Sequence, residues 1–227
     1  MNDELKATDR SDPQAQTFIP GDGLHADERA AAGRPAAGGA QRISSTPELR
    51  ARARRSLAAG AVTPSYGADR ERVIELLNHA LATELVCVLR YRHHYYKASG
   101  LAAEAIKKEF LQHAQEEQGH ADEIAERIIQ LGGNPDMDPD GLAQRSHAEY
   151  GSGDTLDEML RDDLVAERIA IESYTEIIRY LGDRDSTTRR LMETILAVEE
   201  QHAEELSSML QHLSRQDGVR GAPRASE

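Results

Sequence analysis

The sequence predicts an all-α fold, a four-helix bundle of two antiparallel hairpins joined by a long crossover. Three observations lead there. Four long segments repeat apolar residues at helical spacing and carry chain breakers only at their ends. Hydrophobic residues make up 39% of the 227 and charged residues 30%, with two Phe and no Trp, a balance that suits helices better than sandwiches or barrels. The connections within each pair of segments are short and the one between pairs is long, which makes two hairpins and a crossover.

Taken in order, residues 1–66 are rich in Gly, Ala, Pro, Ser and Arg and show no sustained apolar period. Such a stretch buries too little surface to offset the entropy of ordering, so a disordered extension is expected. Within it, TPELRARARRSL at Thr46 to Leu57 has the composition of a short basic helix suited to an acidic partner surface or DNA, although a solvated tail is the plainer expectation. The first long helix is expected from about Asp69 to Ser99, closed by Gly100, and the second from about Ala102 to Leu131, stopped by Gly132-Gly133-Asn134-Pro135. A Pro-, Asp- and Gly-rich stretch then runs to about Asp154, long enough to travel the length of a bundle. Thr155 with Glu158 forms a capping box for the third helix, which reaches about Leu181, and the fourth spans about Ser186 to Leu213. The bundle domain is therefore placed at residues 67–213, and residues 214–227 are expected to be a disordered tail.

Composition also excludes function classes. Cys87 is the single cysteine, so there is neither a disulfide framework nor a thiolate metal site. No apolar run is long enough for a membrane span and the N-terminus lacks the order of an export signal, so a cytoplasmic protein without a membrane partner is expected. Residues 67–213 carry 30 acidic against 15 basic residues, a net of -15 within a chain of net charge -13. That field repels nucleic acid and draws in cations.

Tracing each helix's inward face by steps of three and four gives stripes that are apolar at both ends and ionisable in the middle. They read Ile74, Leu77, Leu81, Glu84, Val88, Tyr91; then Ile106, Phe110, His113, Glu117, His120, Ile124; then Leu160, Leu164, Glu167, Ile171, Tyr174, Ile178; then Met192, Ile195, Glu199, His202, Leu206, Met209, Leu213. A buried carboxylate costs several kcal/mol unless it is paired, protonated or bound to a cation. Four of them with two imidazoles, and no Lys or Arg on these stripes, balance against two divalent ions. Glu117 with His120, and Glu199 with His202, are pairs three residues apart on one helical face, so each pair can hold one metal while Glu84 and Glu167 add oxygens. Mixed carboxylate and imidazole ligands suit iron or manganese. The motif also occurs twice: each single Glu is followed seven residues on by a tyrosine, Tyr91 and Tyr174.

One Glu from each of two helices and Glu-x-x-His from each of the other two resembles the ferritin-like di-iron carboxylate pattern. Within that superfamily, LNHALATELVCVLRYRHHYYKASG, EEQGHADEIAERIIQLGG and AVEEQHAEEL make residues 69–213 most similar to bacterioferritin. The resemblance implies a ferroxidase centre that holds two iron ions per chain, or manganese, on Glu84, Glu117, His120, Glu167, Glu199 and His202, with Tyr91 as a catalytic residue beside it. It implies Fe(II) and O2 or H2O2 as partners and a homo-oligomer, either a dimer or a larger cage. Haem is not expected, because Gln118 stands where bacterioferritin has its haem-ligand Met, and no fifth helix follows Leu213 to help close a storage shell. Tyr174 is nearer the rubrerythrin pattern.

The functional expectation is oxidation of Fe(II) for iron detoxification and storage. A rubrerythrin-like peroxidase or manganese catalase is one alternative, and a non-enzymatic helical interaction module with a structural metal is another. His113 fits a satisfied bundle residue better than a step on an iron route, and His93, His94 and Cys87 have no identifiable partner. Glu116 and Glu200 point off the stripes, toward solvent or the inside of an assembly.

Overall fold

The computed structural model of the chain describes residues 43–100 and 103–220. The described residues form six α-helices and no strand: α1 (Thr46–Ala53), α2 (Arg70–Lys97), α3 (Ala103–Gln130), α4 (Leu142–Arg145), α5 (Leu156–Leu181) and α6 (Ser186–Arg220). Asp69 caps α2 by accepting from the Arg72 backbone N–H, and Thr155 with Glu158 forms the expected capping box on α5. α2 ends at Lys97 and α3 begins at Ala103; after α3 the chain leaves through Gly132, whose φ of 76° favours glycine. Gly133 follows so close to α2 that a Cβ would stand 2.8 Å from the Ile74 side chain.

The four long helices pack as the pairs α2/α3 and α5/α6, with further packing of α2 on α5 and of α3 on α6. The crossover follows α2 from one end to the other. Asn78 bonds Asn134 and Asp136, His79 lies 2.8 Å from the Arg145 carbonyl, Thr83 accepts from the His147 N–H, Arg90 donates to the Glu149 carbonyl, and Lys97 donates to Ser152 and Asp154. Because the crossover delivers the chain to the far end of α2, α5 runs back antiparallel to it. Two apolar clusters lie along the bundle, one centred on Leu77, Leu81, Ile124, Ile177 and Ile195, the other on Phe110, Met159, Leu160 and Leu206.

Three expectations are corrected. Residues 43–66, expected to be disordered, include α1 and then a 3-10 turn at Leu57–Ala59, and they are tied to the bundle by Val62 and Tyr66. Tyr66 donates to Asp185, 119 residues away, so the anchor has no local signature. Expected disorder in residues 1–42 and 221–227 lies outside the described residues. The fourth long helix continues past Leu213 to Arg220. On α5 the buried face is centred one position earlier than traced at several turns: Asp163, Ala170 and Ile177 are buried, whereas Leu164, Ile171 and Ile178 are half-buried.

The core also holds two arginines off the traced stripes, each with its own acidic partner. Arg90 donates from Nε to Asp163 at 2.7 Å, both side chains fully buried, and His94 lies 2.9 Å from the other Asp163 oxygen. Arg127 pairs with Asp185 at 3.0 Å, and Asp185 also caps α6 by accepting from the Thr188 N–H. Removing one partner of a buried pair strands the other charge. Asp163→Ala should therefore cost about 3–5 kcal/mol in urea unfolding, whereas the double substitution Arg90→Met/Asp163→Leu should recover most of it. Equal losses in the single and double variants would show that a stranded charge is not the source of the cost.

Candidate metal centre

Halfway along the bundle the apolar faces of α2, α3, α5 and α6 give way to Glu84, Glu117, His120, Glu167, Glu199 and His202, all buried. Helical spacing sets the pairs: Glu117 and His120 are one turn apart on α3, Glu199 and His202 one turn apart on α6. The six side chains divide into two groups in which ligand-type atoms all lie within 4.8 Å of one another. One is Glu84, Glu117, His120 and Glu199; the other is Glu117, Glu167, Glu199 and His202. Glu117 and Glu199 belong to both.

Those two shared carboxylates present one oxygen to each half. Glu117 Oε2 lies 3.2 Å from His120 Nδ1 and its Oε1 lies 3.3 Å from His202 Nδ1. Glu199 Oε1 lies 3.0 Å from His120 Nδ1 and its Oε2 lies 3.7 Å from His202 Nδ1. The unshared glutamates are held from the opposite hairpin: the Tyr91 hydroxyl donates to Glu167 Oε1 and the Tyr174 hydroxyl to Glu84 Oε1. Their Oε2 atoms face the imidazoles, at 3.5 Å from His120 for Glu84 and 3.9 Å from His202 for Glu167. The tyrosines are thus equivalent in geometry, and Tyr174 belongs with Tyr91.

Burial first, and then the charges of Glu199 and Glu117, push the Glu84 carboxyl well above its ordinary range; burial with Glu117 and Glu199 does the same to Glu167. Burial would also raise Glu117, but the closeness of Glu84, His120 and His202 outweighs it and holds that carboxylate low. For both histidines burial opposes the proton, yet the carboxylates that surround them prevail, raising His120 strongly and His202 to about 10. Without metal the site therefore meets its carboxylate charge with bound protons. Glu117 Oε1, Glu167 Oε2, Glu199 Oε1 and His202 Nδ1 are buried without a hydrogen bond of acceptable geometry, even where an oppositely charged atom is near. Buried atoms that converge without hydrogen bonds are places where cations would be held by carboxylate and imidazole ligands, a donor set without thiolate that would suit iron or manganese.

Residues 74–216 match the ferritin-like domain family. The chain belongs to the ferritin-like family. Among its relatives are a bacterioferritin of Rhodobacter capsulatus, 30% identical over 140 residues that cover 61% of this chain and 83% of that one, and a DNA protection during starvation protein of Pyrococcus furiosus, 34% identical over 139 residues that cover 60% and 75%. Among solved structures, a dodecameric thioferritin related to bacterioferritin, from Bacteroides fragilis, superposes with a TM-score of 0.66 at 31% identity over 69% of this chain and 94% of that one. A ferritin-like di-iron carboxylate protein of Bacillus anthracis superposes at 0.56, with 29% identity over 63% and 97%.

Around this ferritin-like centre lie residues that periodicity did not reveal. Glu116 was expected to face away; its Oε2 instead lies 2.8 Å from His202 Nε2, with Gln112 donating to its other oxygen. A carboxylate on the outer nitrogen of an imidazole fixes the ring's tautomer and orientation, leaving Nδ1 for the site. His94 does have a partner, Asp163, and Cys87 accepts weakly from Arg90. Gln118 donates to Asp122 on the α3 surface. Both arginines of the core are neutralised elsewhere, so the expectation that no Lys or Arg balances the glutamates holds for a different reason: the charges exist but are already paired.

These proton affinities give the metal-free protein a pH dependence. Glu84, Glu167, His120 and His202 bind protons more tightly folded than at their ordinary values of 4.5 and 6.5. Their stabilisation is full below those values and is lost as pH rises through the raised ones. Glu117 acts oppositely, its contribution being lost in acid. Chelator-treated protein should melt at a lower temperature near pH 9 than near pH 7, and saturating Mn(II) should remove that drop because the metal replaces the protons. A flat profile in the chelated protein would contradict this electrostatic account.

Proposed function

We propose that this chain is a di-iron ferroxidase that binds two Fe(II) per chain and oxidises them to Fe(III) with O2 or H2O2. The observation that supports this best is the pair of four-residue groups sharing Glu117 and Glu199. Shared carboxylates keep two cations close enough for one oxidant to take an electron from each, and they carry enough negative charge to favour the ferric product. Fe(II) is here the substrate, and manganese is accommodated by the same ligand types.

The protein's own contribution is positioning and proton handling. Glu84 with His120, and Glu167 with His202, bind one cation each; Glu117 and Glu199 tie the two together. Tyr174 and Tyr91 orient the terminal carboxylates by occupying one oxygen and leaving the other free for the cation. Burial among α2, α3, α5 and α6 keeps bulk water from the pair. Fe(II) loading displaces protons from the glutamates and histidines, and they leave to solvent. A role in iron detoxification and storage follows, together with homo-oligomeric assembly, for which the dodecameric thioferritin provides the precedent. The acidic bundle makes nucleic acid a poor partner. Among the described residues no helix is long and apolar enough to cross a membrane, consistent with action in the cytoplasm. The equivalent tyrosines favour one second reading, a rubrerythrin-like turnover of peroxide in which the metals stay bound.

Anaerobic Fe(II) titration should saturate near two ions per chain, and a stopped flow with O2 or H2O2 should show a rapid oxidation phase. Glu117→Ala should slow that phase by about a hundredfold or more, and Glu116→Gln by about tenfold, since a ligand outweighs the group that orients one. Zero stoichiometry, or unchanged kinetics in Glu117→Ala, would eliminate ferroxidase and peroxidase together. Accumulation of ferric mineral with excess Fe(II) separates storage from sustained peroxide consumption.

A further inference from the structure

Outside the six-residue centre, a second set of ligand-type side chains meets at the seam between α3 and α6. His113 lies one turn before Glu117 and is fully buried. Its Nδ1 is 3.2 Å from the Tyr91 hydroxyl, and its Nε2 is 3.0 Å from Glu205 Oε2. Glu109, a further turn back along α3, joins them, so that Glu109, His113 and Glu205 each offer a ligand atom within 4.8 Å of the others. Gln201 donates to Glu205 Oε1 at 2.8 Å, which keeps Oε2 turned toward the imidazole. The Glu205 side chain is 34% exposed and Glu109 is half-buried, so this set is open to solvent where the centre is closed.

On its inner side His113 reaches the centre itself. Its ring stacks on that of His202 with centroids 4.0 Å apart. With Glu167 and His202 it forms another group whose ligand atoms lie within 4.8 Å, and both of those residues carry a buried atom that has no hydrogen bond. His113 therefore belongs to two overlapping groups, one facing solvent and one continuous with the centre. His113 thus stands between two half-exposed carboxylates on one side and unbonded atoms of the centre on the other.

We propose that Glu109, His113 and Glu205 form a third divalent-cation site, which captures Fe(II) or Mn(II) from solvent and passes it to the centre. Two carboxylates and one imidazole suit such ions, and three ligands leave coordination positions open, as a transfer station requires. The passing step rests on the ferroxidase reading of the centre; the existence of the site does not.

The test is anomalous diffraction from crystals of the full chain soaked anaerobically in Mn(II), with stopped-flow metal loading alongside. Wild type should show a third peak among Glu109, His113 and Glu205, and Glu117→Ala should keep it while losing the pair. Glu109→Gln/Glu205→Gln, with unchanged melting temperature, should lose the third peak, keep the pair and fill it about tenfold more slowly, the scale of electrostatic steering. No third ion in wild type, or its persistence in the double variant, would overturn the site. An unchanged filling rate would overturn the passing step. A third peak without the central pair in wild type would support the site while sinking the reading of the centre.

Discussion

Four carboxylates on one level of a helical bundle impose a condition that the rest of the molecule satisfies. All four are buried, so their charge must be met within a few ångströms, by protons or by cations. The centre is arranged for either. Two glutamates are pushed toward the protonated form and two histidines toward the cationic form, which offsets the remaining carboxylate charge. Two divalent ions would provide the same balance with all four carboxylates ionised. Protons and divalent cations can exchange there at constant total charge, which is how a core with this much acid can fold.

The surroundings keep that balance from being disturbed. Arg90 and Arg127 are buried in the core, and each is bound to an aspartate, so neither can substitute for metal. Arg90 also secures the crossover through the Glu149 carbonyl, and Asp185 caps α6 while bonding Arg127 and Tyr66. The structural ion pairs are thus built into the connections, and the unpaired charge is concentrated where chemistry is proposed. This separation of scaffold charge from site charge explains why so acidic a bundle has a definite interior.

The helices and the six central residues were legible in the sequence because both are written at helical period: apolar residues every three or four positions, and Glu-x-x-His on one face. Off-period contacts were not. Glu116 falls on the wrong side of its stripe by position, yet a long side chain at the edge of the face can reach His202 on another helix. Asp163 and Arg90 are each unremarkable alone and meaningful only as neighbours 73 residues apart. Tyr66 lies in a stretch whose composition reads as disordered, and its anchor is supplied by a distant cap. The small rotation of the buried face on α5 has the same origin: the neighbouring helices, and not α5's own pattern, decide which of two adjacent positions faces inward.

The reciprocal bonds of Tyr91 to Glu167 and Tyr174 to Glu84 cross between the hairpins, and each four-residue group draws on both hairpins as well. Neither half of the chain therefore contains a complete binding site. Because the two halves carry the same motif, a single hairpin that paired with a copy of itself would present the same arrangement of ligands without any crossover. The long connection therefore holds within one chain two halves that each need the other to complete the site, and the halves are not identical: Glu116 contacts His202, and His113 stands on one side only.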